Sequence, residues 1–401
     1  MEKRSERKKV VVTGVEDRSD ISDYRLAFEG VLGIPFTEGN RIDVLRNGCR
    51  IFPAMLEAIE NAAESIEFLT FVYWTGDIAD RVAKALAKRA EAGIKVRVLL
   101  DAFGAAEMSQ SLVADMEEAG VEVRWFRPLA NWKVWSSDNR THRKVLVTDG
   151  RVGFTGGVGI AKEWEGDARD ETEWRDTHFC IRGPAVHGLQ AAFYGNWVEA
   201  GGLMSQALDT VAPLESVGEA RIQVIRATAA VGWSDIASLL QTIICGAQKS
   251  LGFVTPYLAP DEASTRLLVE AANRGVDIDL IIPGPHSDQR ISRLAGASEL
   301  QQLLQAGVNI WRYQPTMIHA KIVIIDGILA CIGSANLNHR STLKDDEIAL
   351  VTDCHETVST LEQHFDDDLR QCERLDFEAW RKRGILRRSA EGLARLFSQQ
   401  V

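Results

Sequence analysis

Two spacings of apolar residues alternate along the chain. Short β-branched or aromatic runs, Ile66–Tyr73, Lys95–Leu100 and Glu122–Phe126, have the length and composition of buried strands. Between them lie stretches with apolar residues three or four apart, which predict one-sided helices over Pro53–Ala63, Asp77–Ala92 and Ser109–Ala119. Gly93 and Gly120 stand where the second and third of these stop. The order then returns: helix Asp235–Gln248, strand Ser250–Pro256, helix Asp261–Asn273, Gly275, strand Asp277–Ile282, helix Ala297–Ala306, Gly307 and strand Asn309–Tyr313. Alternation by itself is common to α/β chains, but the same order with the same glycine stops argues for a duplicated α/β unit. The expected organisation is a loose polar leader over 1–40 before a first strand at Arg41–Leu45, an N-terminal domain over 41–215, a C-terminal domain over 216–375, and a tail over 376–401.

Each half carries a short polar motif. The first reads His142-Arg-Lys144-Val-Leu-Val-Thr-Asp149-Gly150, and Gly156-Gly157 follows. The second reads His319-Ala-Lys321-Ile-Val-Ile-Ile-Asp326-Gly327, followed by Gly333-Ser334-Ala-Asn336. A β-branched run, Asp-Gly and a second apolar run predict a hairpin with a two-residue turn. That register sets His319 opposite Ser334, Lys321 opposite Ile332 and His142 opposite Gly157. With side chains alternating, His319, Lys321, Ser334 and Asn336 then share one face at the open end of the hairpin. Asp149 and Asp326 lie at the turns, roughly 20 Å from their histidines along an extended strand, so a structural role is expected for both. The carboxylates that hold the imidazoles are sought downstream: Asp176, in Trp174-Arg175-Asp176-Thr177-His178, and Glu347, in Asp345-Asp346-Glu347.

A histidine, a lysine and a small donor on one strand face suit a phosphate oxyanion, with lysine as point charge and Ser or Asn as neutral donors. Two such faces brought together provide one imidazole to attack phosphorus and another to manage the proton of the leaving and entering oxygens. The lysines supply the positive charge, so no metal or cofactor is called for. The remaining histidines, 178, 187, 286, 339, 355 and 364, read as surface or satisfied core residues.

These motifs resemble those of the phospholipase D superfamily from about residue 40 onward, and within it the bacterial cardiolipin synthases are most similar. The resemblance rests on His142-Arg143-Lys144, Gly153-Phe154-Thr155-Gly156-Gly157, Trp174-Arg175-Asp176-Thr177-His178, Thr255-Pro256-Tyr257 and the whole second motif through Glu347. It implies two tandem homologous α-β-α sandwich domains forming one active site at their interface. It also implies a covalent phosphohistidine on His142, with His319 as acid and base, Lys144 and Lys321 as phosphate ligands, and Asp176 and Glu347 as orienting acids. Transfer of a phosphatidyl group from a donor such as phosphatidylglycerol follows. One departure is Gly159, which stands where the subgroup usually has Asn.

Charge and composition refine that expectation. With 57 acidic residues against 46 basic ones, a net charge of -11 counts against broad electrostatic binding of nucleic acid. The six cysteines have no C-x-x-C spacing and read as reduced core residues of a cytosolic protein. Met1 to Val10 lacks the apolar stretch of a signal peptide, and no apolar run reaches the ~18 residues that span a bilayer. Membrane contact is therefore expected to be peripheral, at the inner face of the cell membrane. Two segments suit it: a basic amphipathic tail, Trp380–Val401, and an aromatic and basic loop with Trp125, Phe126, Arg127, Trp132, Lys133, Trp135 and Arg140. The alternatives are a phospholipase or nuclease of the same fold, or a non-catalytic binding scaffold.

Overall fold

The computed structural model describes residues 21–128, 139–228, 234–288 and 297–381. Among the described residues each half builds seven strands in the same order, and the C-terminal half adds one short edge strand. The first set is β1 (Thr37–Arg46), β2 (Ser65–Thr70), β3 (Lys95–Asp101), β4 (Glu122–Phe126), β5 (Val145–Thr148), β6 (Val152–Gly156) and β7 (Thr177–Arg182). The second is β8 (Ala220–Ala227), β9 (Ser250–Val254), β10 (Asp277–Pro283), β11 (Asn309–Tyr313), β12 (Ile322–Ile325), β13 (Leu329–Gly333) and β14 (Glu347–Thr352), with β15 (Cys372–Arg374) beyond. The strand order β15-β11-β10-β9-β12-β13-β14-β8-β1-β7-β6-β5-β2-β3-β4 reads as one arrangement followed by its reverse. The two halves therefore meet edge to edge, through antiparallel β1 and β8, in a single continuous sheet.

Helices cover both faces. Under the N-terminal half, Gly48–Asn61, Asp77–Glu91 and Gln110–Glu118 close one core with the sheet, while Asp235–Gly246, Glu262–Arg274 and Ala297–Gln305 do so under the other half. On the opposite face, Val186–Glu199 and His355–Leu369 share one core that runs across both halves, from Leu69 and Phe179 to Ile281 and Ile348. The predicted helix starts at Ser109 and Asp261 are N-caps whose side chains accept from Ser111 N and Ser264 N. Gly275 ends its helix with φ 97°, a left-handed cap that costs glycine nothing.

Three expectations need correction. The leader is not loose beyond residue 20: Ile21–Leu32 is a helix, and β1 begins at Thr37 rather than Arg41. Tyr24 and Phe28, one helical turn apart, bury 96% or more of their surface in the C-terminal core, worth about 1.5–3 kcal/mol each. Tyr24 Oη also donates to Asp326. The helix expected over Pro53–Ala63 starts at Gly48, so the proline lies inside it rather than opening it. Finally, Cys180 and Cys331 are buried, but Cys49 and Cys245 are exposed, so the cysteines are not all core residues.

Candidate active site

The hairpins after the two motifs differ from the expected register by one residue. Ile322 pairs with Ile332 and Ile325 with Leu329; in the other half Val145 pairs with Thr155 and Thr148 with Val152. Asp and Gly both take positive φ, 54° and 60° at Asp149-Gly150 and 54° and 69° at Asp326-Gly327, and Arg151 N and Ile328 N donate to Thr148 O and Ile325 O at 2.9 Å, so one further residue follows each tight turn before the strands pair. His319 and Ser334 are therefore not ladder partners. Both histidine segments leave their hairpins and hydrogen-bond to the opposite half instead. His142 N donates to Asp346 O (2.9 Å) and His319 N donates to Arg175 O (2.7 Å), beside parallel bridges Thr141–Asp346 and Arg175–Ile318.

That crossing decides which acid meets which imidazole. His142 Nδ1 donates to Glu347 at 3.0 and 3.2 Å from its two oxygens, and His319 Nδ1 donates to Asp176 Oδ2 at 2.9 Å. A carboxylate can only accept, so each Nδ1 carries a proton and each Nε2 keeps its lone pair, which at His319 lies within reach of Lys321 Nζ. Lys144 Nζ donates to His142 O (2.8 Å), and Lys321 Nζ donates to His319 O (2.6 Å) while lying 3.1 Å from His319 Nε2. All six groups are buried or nearly so; His142 retains 9% of its surface and His319 5%.

Electrostatics follow from that burial. Loss of water lowers both imidazoles below their usual range, with Lys321 adding to the fall at His319 and Lys144 to that at His142. Burial also draws Lys144 down to about 8 and Lys321 to about 7. Burial pushes the two carboxyls up, but their histidine partners and nearby lysines outweigh it and hold each at about 2. The resting site thus has anionic acids, neutral imidazoles and lysines easily charged by an arriving anion.

The two ends are not identical. Glu347 accepts from Ser334 Oγ and from Ser341 Oγ (2.6 Å), whereas Asp176 accepts from Trp164 Nε1 (2.8 Å) and Thr177 N (2.7 Å). Trp164, Trp174 and Tyr257 surround the His319 ring at 5.2, 5.6 and 6.0 Å between centroids, while among the described residues Phe71 packs against His142 at 5.3 Å. Ser334 was expected as a donor to phosphate, but here it supports Glu347. Asn336 keeps a buried Oδ1 with no hydrogen-bond partner, and with Lys321 and Thr255 it lines a cavity of about 30 Å³. Its counterpart Gly159 has no such side chain because a Cβ there would lie 2.6 Å from Val72 Cβ.

Asp149 and Asp326 lie at the far ends of the hairpins. Asp149 accepts from the backbone N–H groups of Ala63, Glu64 and Ser65 at 2.7–3.0 Å, and Asp326 from those of Gln248, Lys249 and Ser250 at 2.7–2.9 Å. Each ties the hairpin turn to the start of the neighbouring strand. Sequence reasoning missed Trp164 and Ser341. The signal was available: Trp164 follows Gly157 at the spacing at which Ser341 follows Ser334.

Gly157 leaves no room for a side chain, because a Cβ would stand 2.2 Å from Asp176 Oδ1. Gly157→Ala is expected to displace that carboxylate from His319 and lower kcat by about 100-fold, with little change in melting temperature. Steady-state kinetics beside a thermal melt checks this; unchanged kcat would mean that the carboxylate does not need its present position.

The family model described as "Cardiolipin synthase, PLD-like domain" matches residues 55–172 and 240–369. "Cardiolipin synthase 1" of Bacillus anthracis is 33% identical over 91% of this chain and 74% of its own. "Cardiolipin synthase" of Geobacillus kaustophilus is 32% identical over 91% and 73%. Among solved structures, phosphatidylserine synthase of Haemophilus influenzae superposes with a TM-score of 0.71 over 94% of this chain and 97% of that one, at 14% identity, a likeness of fold.

Proposed function

Since the chain belongs to the phospholipase D superfamily, in its cardiolipin synthase branch, we propose that His142 and His319 together carry one phosphatidyl group from a phospholipid to a lipid hydroxyl in two displacements. The chain is a phosphatidyltransferase of that type. The observation that carries the residue roles is the pair of imidazoles, each with Nδ1 clamped by an acid from the opposite half and a lysine alongside.

In the first displacement His142 Nε2 attacks phosphorus. The N–P bond forms, the P–O bond to the departing glycerol breaks, and His319, made an imidazolium by a proton taken up at Nε2 as the phosphodiester anion enters, gives that oxygen the proton. Positive charge developing on His142 is met by Glu347, which is already ionised. Lys144, Lys321 and Asn336 are the groups we assign to the nonbridging oxygens, and the anion's own charge restores full protonation of the lysines. In the second displacement His319 takes the proton of an acceptor hydroxyl, the new O–P bond forms, and the N–P bond breaks.

The proposed donor is an anionic lipid such as phosphatidylglycerol, with the acceptor a second lipid. We assign the protein to the cytoplasmic face of the membrane, in peripheral contact. No helix among the described residues is long and apolar enough to cross a bilayer. The tail over 382–401 and the residues Trp132, Lys133 and Trp135 lie outside the described residues. Of the rest of that loop, Phe126 is buried and Trp125 packs against the N-terminal core.

The test is incubation of purified protein with phosphatidylglycerol vesicles, with products separated by mass spectrometry. Cardiolipin and free glycerol are expected, and both should vanish in His319→Ala. Phosphatidic acid alone would replace transfer by hydrolysis, and a phosphohistidine surviving in His142→Ala would overturn the assigned nucleophile.

A further inference from the structure

The duplication places a donor behind each acid at matched positions whose chemistry has diverged. His142 and His319, Gly157 and Ser334, Gly159 and Asn336, and Trp164 and Ser341 are each separated by the same interval of sequence. Trp164 ends a short helical turn, Lys162–Trp164, and Ser341 lies in the short helix His339–Leu343. Both are fully or nearly fully buried. Trp164 Nε1 donates to Asp176 Oδ2 at 2.8 Å, and Ser341 Oγ donates to Glu347 Oε1 at 2.6 Å.

We propose that Trp164 and Ser341 are the positioning residues of the two acids, each setting the imidazole of the opposite half, so that the two steps of the reaction can be weakened separately. The assignment of steps rests on the roles given to His142 and His319 above.

Geometry restricts each donor to one imidazole. Glu347 Oε1 receives both the Ser341 hydroxyl and His142 Nδ1. Asp176 Oδ2 receives both the Trp164 indole and His319 Nδ1. A carboxylate oxygen that already holds a second donor has a fixed rotamer and lone-pair direction, and so it fixes the imidazole plane. Ser341 has a further task that Trp164 lacks. Its oxygen accepts from Asn336 N at 3.0 Å, so one hydroxyl joins the segment carrying Asn336 to the carboxylate that holds His142. Trp164 instead packs its ring edge-on against His319, at 5.2 Å and 78° between ring planes. Trp164→Phe removes the N–H and keeps most of that ring contact, while Ser341→Ala removes both hydrogen bonds and leaves no bulk change to repack.

The first readout needs no substrate. In protein with ¹⁵N-labelled histidine, Ser341→Ala should move or exchange-broaden the downfield Nδ1 proton of His142 and leave that of His319 in place; Trp164→Phe should do the reverse. The second readout uses leaving groups. Each variant should lose about 10- to 100-fold in kcat on phosphatidylglycerol, with KM nearly unchanged. A nitrophenyl phosphodiester, which departs without a proton, should restore intermediate formation in Trp164→Phe but not in Ser341→Ala. Ser341→Thr, which keeps the hydroxyl, should recover most of the loss. Unmoved resonances in both variants, or both resonances moving together in either one, overturn the inference. A wild-type protein that turns over no lipid counts instead against the reading of the site, since the resonance experiment does not depend on turnover.

Discussion

Glu347→Gln is expected to lower kcat by about four orders of magnitude while leaving KM and the fold nearly intact. The side chain is isosteric and fully buried, so packing barely changes. What changes is polarity. Glu347 sits among three donors, His142 Nδ1–H, Ser334 Oγ–H and Ser341 Oγ–H, and presents only acceptors to them. An amide must turn its NH₂ toward at least one of these. If it faces His142, the imidazole has to accept at Nδ1 and carry its proton on Nε2, which removes the lone pair proposed to attack phosphorus. If it faces a serine, a buried donor loses its partner and the carboxamide is pulled off the ring axis. Either way the developing imidazolium has lost its counter-charge, and a factor of about 10⁴ corresponds to roughly 5.4 kcal/mol of transition-state stabilisation. Rapid-quench measurement of the phosphohistidine burst separates this from a binding defect. A variant retaining more than a tenth of the burst rate would show that Glu347 is not the partner His142 depends on.

Asp368→Ala is expected to produce the largest loss of stability, about 3–5 kcal/mol. Arg175 and Asp368 are each 1% exposed and joined by two contacts, Nε to Oδ1 at 3.1 Å and Nη2 to Oδ2 at 2.8 Å. Arg46 Nη2 adds a third contact to Asp368 at 2.9 Å. Removing the carboxylate strands a buried guanidinium, which costs far more than the pair itself contributes. The damage reaches the site, because Arg175 precedes Asp176, donates to its backbone oxygen at 2.6 Å, and carries the carbonyl that receives His319 N. Urea denaturation should show a lower midpoint with an unchanged slope. Replacing Arg175 and Asp368 together by Met and Leu should recover most of the stability, and a loss under 1 kcal/mol in the single variant would refute the account.

Much of this could be read from the chain. Element order, glycine stops and the His-x-Lys pairs are local features with their own periods, and the helix starts at Ser109 and Asp261 have capping chemistry that needs no tertiary knowledge. The structural role expected of Asp149 and Asp326 agrees with the backbone N–H groups they accept from. The register slipped by one because Asp-Gly permits either a two- or a three-residue turn, and the choice depends on what packs around the loop. The pairing of Glu347 with His142 could not be read, because it crosses between halves whose local patterns are alike. Helix Ile21–Leu32 was hidden for a different reason: Tyr24 and Phe28, with Leu32 partly buried beside them, mark its buried side, and their partner surface lies in the C-terminal half.

The crossing of acids between halves has an evolutionary corollary. Each half gives an imidazole that its own acid does not reach, and receives the other's acid in return, which is the reciprocal contact of an isologous two-fold dimer written into one polypeptide. In a dimer of identical chains, any substitution changes both ends of the site at once. Joining two copies in one chain lifts that constraint, and matched positions of the present chain do differ: Asp176 against Glu347, Gly157 against Ser334, Gly159 against Asn336 and Trp164 against Ser341. A reaction whose two steps ask different things of two histidines gains from such freedom, since one end can drift toward holding a phosphoryl group and the other toward handling a proton.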